Sequence, residues 1–396
     1  MATMTSTDKV DTDAILEKTR ALRPLIESLA DEQEQQRRMP EQLVDALHEA
    51  RLFHLFVPKA YGGLQVDPMT YMRVVEEMSS IDGSAGWTLM IGAGAGQFAG
   101  FMQPGVAAEV YRDERAVVAG KVEPTGKAVA VDGGYQVTGR WTFGSGIHHA
   151  THVGGGCIVF DGDQPRPGTG GLPVVVRLAL VPKSDCEILD EWHVSGLCGT
   201  GSETFTMTDV FVPEERTFLP FFDTPQQEGP LYRLPLTFLL AQVPLVPLGI
   251  ARHALDILEE LAATKVPMRM GAPVPLRERP RAQAEIARAE ALLGSARAYL
   301  YESVEEMWDS LLRGDEATMM QRTKMRLATC NAAIASAQAV DIAYNLGGGT
   351  SIYKKSQLQR CFRDVHAATQ HAAVAPDGME NTGRVLFGLD PAGPMF

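Results

Sequence analysis

The sequence predicts a three-part α+β chain: an N-terminal helical domain, a middle β-barrel or sandwich domain, and a C-terminal helical bundle. Three observations predict it. Apolar residues recur at helical spacing up to about Val117, at a period of two from there to about Pro220, and at helical spacing again afterwards. The middle stretch carries an Asp-Gly hairpin turn. The last stretch holds long Ala- and Leu-rich patterns, which pair most simply as an antiparallel bundle. The expected domains are residues 1–117, 118–222 and 223–396, within the two or three that a chain of 396 residues allows.

Taken in order, Leu22, Leu25, Ile26 and Leu29 share one helical stripe. Pro40 opens a second helix, where its missing N–H costs nothing, and Leu43, Val44 and Leu47 give that helix its apolar face. Tyr61-Gly62-Gly63 is a turn before a third helix with Met72, Val74, Val75 and Met78. Gly83 to Gly100 is small and apolar throughout, as a closely packed buried helix would be. Beyond Val117, the run Val129, Val131, Asp132-Gly133-Gly134, Tyr135 and Val137 makes a hairpin. Val174 to Pro182 and Thr204 to Val212 are further strands, and the Gly- and Pro-punctuated Asp161 to Leu172 is a loop. Arg252 to Leu261, Arg281 to Leu311 and Met319 to Leu346 are long helices, and a last one runs from about Ser356 through His371.

Composition excludes several classes. Hydrophobic residues at 45% and charged residues at 21% are globular values. The five cysteines are scattered without a CxxC pair, which speaks against a disulfide framework or zinc ribbon and fits a reducing, cytoplasmic setting. A net charge of -13 disfavours nucleic acid and anionic membrane. The one Arg-rich stretch, Arg277 to Arg288, also holds Glu278 and Glu285 and reads as a solvated helix face. The N-terminal residues lack the apolar core of a signal peptide, and prolines interrupt the apolar run Leu234 to Ala251.

Generic chemical signatures fail. Gly92 to Gly96 has no preceding strand and the wrong spacing for a phosphate loop. Gly144-Ser145-Gly146 is not a nucleophile elbow. His148, His149 and His152 have no carboxylate near them in sequence, and adjacent strand residues point to opposite faces, so no metal is expected.

Three segments taken together are more specific. They are Gly139-Arg140-Trp141-Thr142-Phe143-Gly144-Ser145-Gly146, then Trp192 to Ser202 leading into Asp209-Val210-Phe211-Val212-Pro213, then Arg360-Cys361-Phe362-Arg363-Asp364 through His371. In this order on an α–β–α chain they resemble the acyl-CoA dehydrogenase superfamily, and within it the flavin-dependent monooxygenase branch, the oxygenase components of two-component hydroxylases. The resemblance spans about Leu22 to Pro391. It implies a C-terminal four-helix bundle, a homotetramer, and reduced flavin (FAD rather than FMN on the superfamily pattern) delivered by a separate NAD(P)H-dependent reductase. It further implies a flavin between β domain and bundle, whose C4a-hydroperoxide would pass one oxygen of O2 to an aromatic ring.

The resemblance also assigns residues. Where many acyl-CoA dehydrogenases carry a Glu base eight residues beyond the Arg-Asp pair, this chain has Ala372. Its neighbour His371 resembles the monooxygenase base, with a catalytic and substrate-binding role. A His of pKa ~6.5 facing a phenol of ~10 would polarise the donor rather than fully deprotonate it. Ser145 is implied beside the flavin N5, with Trp141 and Phe143 packed near the isoalloxazine ring. Val122, Pro124 and Ser202 fall on the cofactor side, and Arg269 with the Arg277 to Arg288 stretch is where a flavin phosphate would find positive charge. Gly83-Ser84-Ala85-Gly86-Trp87 matches the branch, with Trp87 lining the substrate cavity. Ala95 stands where phenol-hydroxylating relatives often carry His, which implies a bulkier and more apolar substrate, an indole, phenol or fused polycycle. Competing readings are an acyl-CoA dehydrogenase with a displaced base, an N- or S-oxygenase, and a non-catalytic flavin-binding scaffold.

Overall fold

A computed structural model describes residues 11–168, 172–267 and 273–392. The N-terminal part is helical: α1 (Thr12–Ala21), α2 (Arg23–Gln36), α3 (Glu41–Glu49), α4 (Pro68–Ser79), α5 (Gly83–Ala95) and α6 (Pro104–Val110). Local chemistry sets the starts. Asp11, Asp67 and Asp82 cap α1, α4 and α5, each carboxylate accepting a first-turn backbone N–H that has no helical partner. The stripe around Leu22 is broken in two, because Pro24 sits in the first turn of α2. α5 is tightly packed as its composition predicts: a Cβ at Gly86 would lie 2.0 Å from the Ser79 Oγ.

The middle part holds β1 (Val118–Val131), β2 (Gly134–Gly144), β3 (His152–Asp161), β4 (Gln164–Pro165), β5 (Val176–Pro182), β6 (Glu187–Leu189), β7 (Glu203–Pro213) and β8 (Thr217–Phe218). They form one 8-stranded sheet in the order β6-β7-β2-β1-β3-β5-β8, with β4 on β3. The expected barrel or sandwich is thus a single sheet. β1 and β3 run parallel; the remaining pairs are antiparallel. The predicted hairpin joins β1 to β2 through Gly133 at φ 77°. Two register shifts shape the site. β1 leaves its ladder with β3 between Lys121 and Gly126, and β2 leaves its ladder with β7 between Trp141 and Gly144.

The C-terminal part comprises α7 (Leu236–Ala241), α8 (Leu245–Thr264), α9 (Pro280–Arg313), α10 (Met319–Gly347), α11 (Gln357–Ala368) and α12 (Asp377–Leu386). α10 packs on α8, α9 and α11, and α9 closes at Gly314 with φ 93°. A capping box of Thr318 and Gln321 opens α10. The stretch Leu236–Thr264 is long and apolar enough to cross a membrane, but 83% of its most apolar window is buried inside the protein. Its hydrophobicity is spent on the core, where α8 meets α4, α5, α10 and α11. One apolar core joins the N- and C-terminal helices, a second lies between α5, α6 and the sheet, and a third sits on the sheet around Trp141.

A polarised hydroxyl cluster between the sheet and the helices

The candidate site lies where α5, the turn after β2, the turn before β7 and the segment after α11 converge. The Trp87 Nε1–H donates to the Ser145 Oγ at 3.1 Å. Ser145 and Ser202 are bonded through their hydroxyls at 2.7 Å, and Ser202 and Thr200 likewise at 2.7 Å. The Thr200 hydroxyl donates to the Leu197 carbonyl at 2.9 Å. All of these side chains are buried.

A hydroxyl has one hydrogen, so the direction of the chain follows. Thr200 has given its hydrogen to Leu197 and can only accept from Ser202. Ser202 then accepts from Ser145, which accepts from Trp87. Ser145 is left with one free lone pair and no hydrogen.

The backbone holds this chain in place. The Ser145 N–H closes a tight turn on the Phe143 carbonyl at 2.9 Å, and the Gly146 N–H reaches the Thr200 carbonyl at 2.9 Å. Leu197 has φ 52°, which is costly for a side chain of its kind, and its N–H is held at 2.6 Å by the Asp364 Oδ1. Asp364 is fully buried on α11. Desolvation, and then the neighbouring Asp82, push its carboxyl up to about 7. Asp82 accepts from the Ala85 N–H and from the Gln33 amide, each at 2.8 Å, which anchors the start of the helix that carries Trp87.

His371 sits edge-on to Trp87, with ring centroids 5.6 Å apart. Its Nδ1 accepts the Ala373 N–H at 3.1 Å and caps the turn Ala372–Val374. Desolvation, and then the Lys121 ammonium, push the imidazole down to about 4, so the ring is neutral at pH ~7. Lys121 lies at the point where β1 leaves its ladder. Its Nζ is 5.0 Å from the Phe143 ring centroid and 3.3 Å from the Glu123 carboxylate.

Phe143 and Trp141 part company. Strand alternation puts them on one face, and the expectation above placed both against the ring. Instead Trp141 is 1% exposed and stacked on Phe205, with its Nε1–H bonded to the Gly156 carbonyl at 2.8 Å. Gly126, Gly139 and Gly155 make room for its indole. Phe143 has φ 65° inside the register shift, which turns it outward to 57% exposure beside Trp192. The placement of Trp141 at the cofactor is therefore corrected: its indole is consumed by the core of the β domain.

The other predicted residues divide similarly. Val122 packs against the apolar cluster that contains Ala95 and Phe98, so both reach the junction of sheet and α5. Pro124 lies in the stretch of β1 that leaves the ladder. Arg269 lies outside the described residues. Arg288 pairs with Glu285 at the surface, and Arg279 donates to the Val274 and Pro267 carbonyls. His149 is enclosed beside Phe53 and driven down to about 3 by desolvation, while His148 lies 3.7 Å from Glu203. Among the described residues no His, Cys, Asp and Glu group could hold a metal.

Sequence reasoning missed Lys121, Trp192, Leu197, Thr200 and Asp364 as parts of this site. Trp192, Leu197 and Thr200 stood inside the quoted segment Trp192 to Ser202, and Asp364 in the Arg-Asp pair. Lys121 had no signal beyond adjacency to Val122.

The donor set fits a reduced flavin. Such a ring offers an N5–H and a flat apolar face. Ser145 has a spare acceptor, and Phe143 and Trp192 present aromatic surface beside it. The comparisons agree. Family models described as "Acyl-CoA dehydrogenase, N-terminal domain" and "Acyl-CoA dehydrogenase, C-terminal domain" match residues 13–104 and 243–376. An indole-3-acetate monooxygenase from Pseudomonas putida is 36% identical over 360 residues, covering 90% of both chains. The crystal structure of the HsaA monooxygenase from Mycobacterium tuberculosis superposes with a TM-score of 0.87 at 30% identity, over 98% of this chain and 100% of that one. XiaF from Streptomyces, solved with FADH2 and glycerol, gives 0.89 at 26% identity, over 97% of each chain. The fold and the site thus define a flavin-dependent oxygenase. This chain belongs to the acyl-CoA dehydrogenase family, in its flavin-dependent monooxygenase branch.

Proposed function

We propose that this monooxygenase hydroxylates a bulky, apolar aromatic substrate such as an indole, a phenol or a fused polycycle, using O2 and reduced flavin from a separate reductase. The observation that carries the reading is the polarised chain ending on Ser145, set in otherwise apolar and aromatic surroundings. A reduced flavin, when bound, activates O2 and delivers one oxygen atom to the substrate.

The residues of this chain do the rest. Ser145, with its free lone pair, would hold the N5–H of a bound reduced flavin and keep that proton from solvent. Trp87 and Ser202 keep the Ser145 hydroxyl from rotating. Phe143 and Trp192 cover the edge and exclude water. Ala95, Val122 and Phe98 make the surroundings at the junction of sheet and α5 apolar, as a substrate larger than a simple phenol requires, and His371 contacts it from the Trp87 side. We favour FADH2 over reduced FMN because the Streptomyces relative was solved with FADH2. Ala372 leaves no carboxylate at the family's dehydrogenase base position. A homotetramer in the cytoplasm completes the reading.

The test mixes protein, photoreduced flavin and oxygen with indole or 2-naphthol. Flavin oxidation slower than in free solution, with product one oxygen atom heavier, is expected. Oxidation at the free-flavin rate with only hydrogen peroxide formed would overturn the assignment. Running FAD and FMN in parallel decides the cofactor, and product analysis separates ring hydroxylation from N- or S-oxygenation.

A further inference from the structure

Glu203 follows Ser202 in the chain and opens β7, and it is only 3% exposed. A buried carboxylate needs donors in place of the water it has lost. Its Oε2 accepts the Trp192 N–H at 2.7 Å and the Glu191 N–H at 2.8 Å. The Glu191 N–H also reaches the Leu189 carbonyl at 2.9 Å, so the Trp192 bond is the undivided one. Oε1 faces the His148 Nε2 at 3.7 Å. The buried carboxylate beside Ser202 is therefore committed to the backbone of Trp192.

The segment it grips has little else to hold it. Residues 190–197 form neither helix nor strand. Arg37 reaches Asp190 at 2.6 Å and the Trp192 carbonyl at 3.4 Å, and Arg140 pairs with Glu191 at 2.6 Å. Both ion pairs face solvent, where such contacts contribute little. Bonds from backbone N–H groups to an ionised, buried carboxylate are the stronger kind. At its other end the Trp192 indole N–H donates to the Leu197 carbonyl at 3.3 Å. That carbonyl also takes the Thr200 hydroxyl, on which the Ser145 chain ends. The Trp192 ring meets Phe143 edge-on, with centroids 6.1 Å apart and planes at 84°.

Resting on the reading of Phe143 and Trp192 as the cover of the flavin edge, we propose that Glu203 is a positioning residue for oxygen transfer, holding Trp192 in place through its backbone. A carbonyl oxygen has two lone pairs, and at Leu197 the indole and Thr200 fill both. Release of Trp192 would open the edge to water and let water compete with Thr200 for Leu197. Both effects favour escape of peroxide over transfer of oxygen to the substrate.

Two measurements test the proposal. The first needs no flavin. Protein labelled with 5-fluorotryptophan gives a Trp192 19F signal, assigned by its loss in Trp192→Phe. That signal should move to the position of a solvated indole in Glu203→Leu and stay in place in Glu203→Gln, whose amide oxygen can accept the same two N–H groups. An unmoved signal in Glu203→Leu overturns the proposal. The second is peroxide released per reduced flavin oxidised, with 2-naphthol present. Glu203→Leu should raise it ~3- to 10-fold, as the loss of one net hydrogen bond allows, and Glu203→Gln should restore most of the coupling. Because Glu203 acts through Trp192, the double variant Glu203→Leu, Trp192→Ala should be no worse than Trp192→Ala alone; additive effects overturn the proposal. Where Glu203→Leu does not fold, Glu203→Asp, too short to reach both N–H groups, takes its place in both measurements with the same outcomes. Coupling that survives in Trp192→Ala overturns the reading of Trp192 as a cover, and the proposal with it.

Discussion

The Ser145 hydroxyl is held from two directions, by the Trp87 indole and by Ser202, and only its acceptor side remains for a ligand. Its removal should therefore act on coupling rather than on folding. Ser145→Ala is expected to raise the peroxide released per flavin oxidised by about fivefold, the equivalent of one net hydrogen bond of ~1 kcal/mol. Peroxide quantification during turnover checks this, and unchanged coupling removes Ser145 from the mechanism. Thr200 acts one step further back. In Thr200→Val the Ser202 hydroxyl loses its acceptor and can turn to donate to Ser145, reversing the end of the chain. Uncoupling should follow with near-native stability, and Thr200→Ser should restore coupling. Ser145 and Ser202 were legible because the motifs containing them resemble the family's. The direction of their bonds was not, because it depends on Leu197 and Trp87, which only folding brings close.

Among the elements, α11 and the start of α5 share a buried pair of carboxylates. Asp364 secures the Leu197 turn, and Asp82 caps the helix of Trp87. Below pH ~4 the Asp364 carboxyl is protonated whether or not the chain is folded. Between there and about 7 the folded chain keeps a proton that the unfolded chain gives up, so this contribution falls as pH rises through about 7 and then levels off. The scale is on the order of 2–4 kcal/mol, from about 1.4 kcal/mol per unit. The partly buried His48 and His149, pushed down to about 4 and about 3 by desolvation, have the opposite sign and cost stability as pH falls below ~6.5. Comparison with Asp364→Asn isolates the carboxylate, since Asn keeps an acceptor for Leu197. Thermal melts from pH ~5 to ~8 should show a shallower loss toward alkaline pH in the variant. Parallel curves would mean Asp364 does not titrate there. The β elements teach a different lesson. Alternation read Trp141 and Phe143 as companions, and a positive φ inside a register shift set them on opposite duties. Period-two patterns carry no mark of such a break.

For the whole molecule, the C-terminal third carries apolar side chains that the single chain does not cover. Phe387 is 88% exposed, and Leu386, Leu389, Ile352 and Tyr353 are more than half exposed. These side chains are ones that the proposed homotetramer would cover. Light scattering should give about four times the chain mass of 43.0 kDa. The pair Leu386→Asp and Phe387→Asp should shift the population toward smaller species, and an unchanged mass would place the interface elsewhere. The net charge of -13 is compatible with this arrangement, since charge excludes partners in bulk and says little about one cleft.

The order of helical, strand and helical segments, the Asp-Gly hairpin and the long α9 and α10 were written in periodicity, because each depends on neighbours a few residues apart. So was membership of the family, through short motifs that survive in linear order. The site is another matter. It joins Trp87 to Ser145 and Leu197 to Asp364 across tens of residues or more, and it sets the short links of Ser202 to Thr200 and His371 to Ala373 beside them. Each hydrogen in them can be assigned only after its neighbours are in place. Residue types announce that a hydroxyl or an imidazole is present. Which of its atoms donates, and which is left for a ligand, is settled by what the rest of the chain has already bonded.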